Sequence, residues 1–139
     1  MQRTLSNSVT ITYLDYEQVM NQLQQAAAQL KQSNEQVVRV MLFGSLVQGN
    51  YGPRSDADVL IVLASDERRV MDRVPEYLAA FSNVSIGVDV FPLTEEEIQI
   101  AIKGENMFVK RILQEGVELG AEGSRQKSVG SRQKSVGRS

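Results

Sequence analysis

A chain of 139 residues with 42% apolar content is one domain long and can bury one core. It has no cysteine and no histidine, which excludes disulfides, thiolate catalysis, cysteine-based metal sites and Ser–His triads, and leaves carboxylates, hydroxyls, amines and hard metals for any chemistry. Residues 1–122 hold ten basic and all seventeen acidic residues, a net −7 that makes a poor sequence-independent binder of nucleic acid.

In chain order, Met1 to Asn7 lack an apolar segment or cleavage pattern, so no signal peptide is expected. No apolar run approaches the ~18 residues of a membrane span, and the expected compartment is the cytoplasm. Val9 to Tyr13 read as a short strand or an extended lead-in. Asp15 is placed to cap a helix to about Ser33, with Val19, Leu23, Ala26 or Ala27, and Leu30 on one face. Val37 to Phe43 is a β-rich run and reads as a strand. Gly44 to Ser55 is turn-rich, with room for a short helix at its start. Val59 to Ala64 predicts a second strand. Asp66 to Phe81 carries Val70, Val74, Leu78 and Phe81 at helical spacing, with a kink expected at Pro75. Val84 to Phe91 predicts a third strand. Thr94 and Glu97 form a capping-box pattern that opens a helix to about Lys103, and a last helix runs from Glu105 to Glu115 until Gly116 stops it. This order predicts an α/β or α+β layer fold with a single sheet. Met20, Met41, Met71 and Met107 read as core filler. Glu95, Glu96 and Glu97 read as a solvated helix start, and Arg68 and Arg69 as a solvated helix face.

The tail is a repeat. Gly123-Ser124-Arg125-Gln126-Lys127-Ser128-Val129 recurs unchanged as Gly130 to Val136, with five basic and no acidic residues from Gly123 onward. One valine per repeat builds no core, so 123–139 reads as a disordered basic tail after a domain spanning 1–122. An arm for RNA or an acidic partner is its functional reading; a dispensable duplication is the bland one.

The informative stretch runs from Leu42 to Leu60: Gly44-Ser45, ten residues, then Asp56-Ala57-Asp58. Gly44 ends a strand with no Cβ, so a polyphosphate can approach the backbone. Ser45 offers a hydroxyl and opens a turn whose amides attract anions. Asp56 and Asp58 are two apart, so at the mouth of a strand both project to one face. Carboxylates so placed repel unless a cation joins them, and Mg²⁺ is expected because it pairs hard oxygen ligands with substrate phosphates. Val84, Ile86, Val88 and Val90 line one face of the third strand, which puts Gly87 and Asp89 on the other. If that strand lies beside the Asp56–Asp58 strand, Asp89 completes a triad for two metal ions. Gly87 then leaves open space next to Asp89. The plainer alternatives make Asp56 and Asp58 turn caps beside Gly52-Pro53 and Asp89 a solvent-facing strand residue.

These residues resemble the signature of the DNA polymerase β-like nucleotidyltransferase superfamily, in its minimal nucleotidyltransferase branch. The similarity runs from about Asp15 to Leu119 and includes Asn106 to Gly116. It implies a fold with one mixed sheet flanked by helices, with Asp56, Asp58 and Asp89 as catalytic, metal-binding carboxylates. Gly44 and Ser45 are then the nucleotide-binding residues. Many relatives carry arginine where this chain has Gln48, and Arg54 is the substitute candidate for the triphosphate. The resemblance further implies Mg²⁺-dependent transfer of AMP from ATP to a hydroxyl. The implied acceptor is a tyrosine of a HEPN ribonuclease toxin encoded nearby, with this chain as antitoxin of a type VII toxin–antitoxin system. Two alternatives stay open: an antitoxin that acts by binding alone with a vestigial site, or transfer to a small molecule.

Overall fold

The computed structural model describes residues 15–49 and 55–121. The first helix, α1 (Tyr16–Ser33), starts where the Asp15 carboxylate accepts a hydrogen bond from the Gln18 amide at 3.1 Å. It buries Val19, Leu23, Ala27 and Leu30, one stripe at helical spacing. It ends as the Asn34 amide donates to the Leu30 carbonyl.

Four strands form the sheet: β1 (Val37–Phe43), β2 (Ala57–Leu63), β3 (Val88–Thr94) and β4 (Val117–Leu119). Their spatial order is β3-β2-β1-β4, with β2–β3 parallel and the other two pairs antiparallel. The expected single mixed sheet is therefore what forms, in an α+β arrangement. A parallel β2–β3 pair needs a crossover, and α3 (Val70–Ala79) supplies it after the one-turn α2 (Ser45–Gln48) has followed β1. The chain then runs through α4 (Glu95–Lys103) and α5 (Met107–Glu115) before β4.

Strand alternation builds two cores. Val40, Leu42, Val59, Ile61 and Val90 pack with α1, Tyr77 and Phe81 on one face. Met41, Leu60 and Val62 pack with Ile98, Val109 and Ile112 on the other. Among the described residues, no helix is long and apolar enough to cross a membrane.

Several expectations are corrected. The second strand is Ala57–Leu63, so it takes in Asp58; the third is Val88–Thr94, and Val84 to Ile86 precede it without ladder pairing. Helix α3 spans Val70–Ala79, not Asp66 to Phe81. Its buried residues are Arg73 and Tyr77, while Leu78 is exposed. Arg73 can be buried because its guanidinium, 2% exposed, donates to the carbonyls of Asp66, Arg68 and Pro92 and to both oxygens of Glu97. Glu97 is thus an ion-pair partner as well as the capping-box residue of Thr94, whereas Glu95 and Glu96 are exposed as expected. Arg68 and Arg69 precede α3, and Arg68 bonds Asp66 and Glu76. Met41 is core, but Met71 and Met107 are 77% and 64% exposed. The strand expected at Val9 to Tyr13, and the tail 123–139, lie outside the described residues.

Candidate active site

The site grows out of strand register. Asp58 pairs with Asp89 across the parallel β2–β3 ladder and with Phe43 across the antiparallel β1–β2 ladder. Residues directly opposite in a sheet share a face, and adjacent strands lie ~4.8 Å apart. Phe43, Asp58 and Asp89 therefore form one row across three strands. The row lies on the α4–α5 face, one step beyond the Met41–Leu60–Phe91 row that the second core covers. Asp56 sits two residues upstream of Asp58 and hence on the same face. The Ala57 amide donates to the Gly87 carbonyl at 2.9 Å, which carries the alignment back to that level.

Two glycines make room for these carboxylates. A Cβ on Gly87 would stand 2.6 Å from Asp56 Oδ1 and 3.1 Å from its Cγ. A Cβ on Gly44 would overlap Asp58 Oδ2, and Gly44 holds φ at +87°, where a side chain is strained. The space expected beside Gly87 for Asp89 is thus taken by Asp56, and the space beside Gly44 is shared with Asp58. Gly44 leads into Ser45, which opens α2 and is half-buried. At four residues, α2 is too short for an appreciable macrodipole. Arg54 lies outside the described residues.

The electrostatics follow from the geometry. Asp58 is half-buried, and its carboxyl is held above the usual value of 3.8, first by burial and then by the negative charges of Asp89 and Asp56. Asp89 and Asp56 thus both act on Asp58, and an all-oxygen donor set suits a hard divalent cation. Among the described residues, however, no three acidic side chains stand close enough to be a finished metal cage.

Beside Asp58 opens a cavity of about 250 Å³. One wall comes from Phe43, Gly44 and Val47, and the other from Phe108, Arg111 and Glu115 on α5. Phe43, Phe91 and Phe108 meet with ring centroids 5.5–5.8 Å apart, joining β1, β3 and α5 behind the aspartate row. Sequence reasoning missed Phe43, Phe108 and Arg111 as site residues. The spacing 108, 111, 115 does put one helical face beside the buried Val109 and Ile112, but only the tertiary fold brings that face to Asp58.

Comparison with known proteins agrees with this architecture. Residues 23–120 match the family described as Nucleotidyltransferase domain. No curated protein matches the chain. Among solved structures, a candidate nucleotidyltransferase from Sulfolobus solfataricus superposes with a TM-score of 0.53 at 24% identity, over 85% of this chain and 89% of that one. That likeness shows a shared fold. A toxin–antitoxin structure with AMP-PNP reaches a TM-score of 0.44 at 17% identity, over 76% of this chain and 72% of that one, too distant to bear on function.

Proposed function

We propose that this chain, which belongs to the nucleotidyltransferase domain family, transfers AMP from ATP to a protein hydroxyl. The observation that carries the reading is the register that sets Asp58 beside Asp89, with Asp56 on the same face. Three carboxylates on one face, one of them half-buried, repel one another. Such an arrangement is costly unless a cation belongs there. Mg²⁺, two ions in this reading, would supply Lewis acidity and neutralise polyphosphate charge when held by Asp56, Asp58 and Asp89.

The chain's own residues then bind and orient. The Ser45 hydroxyl donates to phosphate oxygen, Gly44 admits it to the backbone, and Arg54 adds charge from the segment outside the described residues. The acceptor oxygen attacks the α-phosphorus, the bond to the bridging oxygen of the β-phosphate breaks, and pyrophosphate leaves. With no histidine in the chain, the Asp89 carboxylate takes the acceptor's proton. The acceptor we propose is a tyrosine of a HEPN toxin, and the net −7 of residues 1–122 suits encounter with a basic surface. α-Labelled ATP, Mg²⁺ and the product of the neighbouring gene test the reading. Label should pass to that protein and stop with EDTA; label that stays nucleotide-bound under all conditions contradicts it.

A further inference from the structure

We propose that Arg111 grips the polyphosphate of the nucleotide from the α5 side of the cavity, an inference that rests on the nucleotidyltransferase reading above. Among the described residues, Arg111 is the one cation lining that cavity, which it shares with Gly44 and Asp58. It stands three positions after Phe108 and four before Glu115, so one helical face carries all three toward the same space.

Its bonding sets it apart. Among the described residues, Arg39, Arg68, Arg69 and Arg73 each donate at least one guanidinium hydrogen bond. Arg111 donates none to a described residue: its nearest described acid is Glu115, at 3.8 Å from Nε to Oε2. Glu115 is meanwhile engaged through its other oxygen, which accepts from Gln48 Nε2 at 3.3 Å. That bond ties α2 to α5 and leaves the Arg111 fork uncommitted.

A planar fork with free N–H groups beside an acidic row is built to take two oxygens of one phosphate group. The other acid at the cavity wall, Glu115, would repel a polyphosphate, and Arg111 lies next to it and offsets that charge. The plain alternative is a solvated i,i+4 pair, which would leave nucleotide affinity unmoved when broken.

Titration calorimetry on the full chain separates the two, with MgATP and adenosine as probes and Arg111→Gln and Arg111→Lys as variants. Loss of a charge-assisted contact predicts MgATP binding weakened about tenfold or more by Arg111→Gln. Adenosine should bind as before, and Arg111→Lys should recover part of the loss, since it keeps the charge without the fork. Unchanged MgATP affinity in Arg111→Gln overturns the assignment and leaves the reading of the site standing. An equal loss for adenosine also overturns it, because the residue would then shape the cavity instead of meeting phosphate. A wild-type chain that binds no MgATP overturns the reading of the site itself, and this inference with it.

Discussion

The carboxylate of Asp58 occupies the place where a side chain on Gly44 would stand. One glycine therefore serves two needs, a backbone at φ +87° and clearance for an acid of the neighbouring strand. Gly44→Ala should cost about 1–3 kcal/mol from its positive-φ, extended backbone alone. It should also displace Asp58 and weaken MgATP binding. Urea denaturation and calorimetry read the two effects. A variant with wild-type stability and wild-type affinity would show that neither constraint operates.

Asp58 itself should trade stability for function. A carboxyl whose folded value lies above its unfolded one binds its proton more tightly in the native state. Stability then falls as pH rises from the ordinary value of 3.8 through the raised one. At neutral pH the charged Asp58 is a liability, so Asp58→Asn should unfold at an equal or higher temperature there. The difference should close below pH 3.8, where the wild-type group is protonated in both states. A variant clearly less stable than wild type at pH 7 would contradict this account of the Asp58 environment.

Arg73 predicts the opposite behaviour. Its buried fork satisfies three carbonyls and Glu97, so Arg73→Leu leaves those groups unpaired and should destabilise by about 3–5 kcal/mol. The neighbouring Asp66 carboxyl is held at about 2, chiefly by hydrogen bonds from Arg68. Glu97 is likewise lowered, chiefly by Arg73. Depressed acids contribute stability that is complete above their unfolded values and lost as pH falls through the folded ones. Acid unfolding of the wild type should therefore draw on Asp66 and Glu97, and Glu97→Gln should flatten the stability profile on the acid side. A loss below about 1 kcal/mol for Arg73→Leu, measured by urea midpoint, would place the residue among ordinary surface arginines.

Local rules made part of this molecule readable. The Asp15 cap, the stripe Val19–Leu23–Ala27–Leu30 and the Thr94–Glu97 capping box each depend on residues within a turn or two, and each forms as the spacing implies. The alternation that put Asp89 opposite Val88 and Val90 also persists, because side-chain period does not depend on where ladder pairing begins. What was illegible depends on distant partners. Strand β4 has three residues and owes its existence to pairing with β1. Nothing near Arg73 in the chain marks it as buried, because its partners Pro92 and Glu97 come from other elements. The cavity wall of Phe108 and Arg111 comes near Asp58 only because α5 lies over the end of the sheet. The exposure of Met71 and Met107 has no signature in a chain where methionine usually fills gaps.

The central claim is that Asp56, Asp58 and Asp89 act together in nucleotidyl transfer to a protein hydroxyl. Intact mass spectrometry of the neighbouring gene's product, after incubation with this chain, ATP and Mg²⁺, tests it most directly. A gain of one AMP unit is expected with the wild type and none with Asp56→Asn, Asp58→Asn or Asp89→Asn, each still folded by circular dichroism. Neutralisation of the partner without any mass gain, achieved equally by all three variants, would contradict it and make the chain an antitoxin that works by contact.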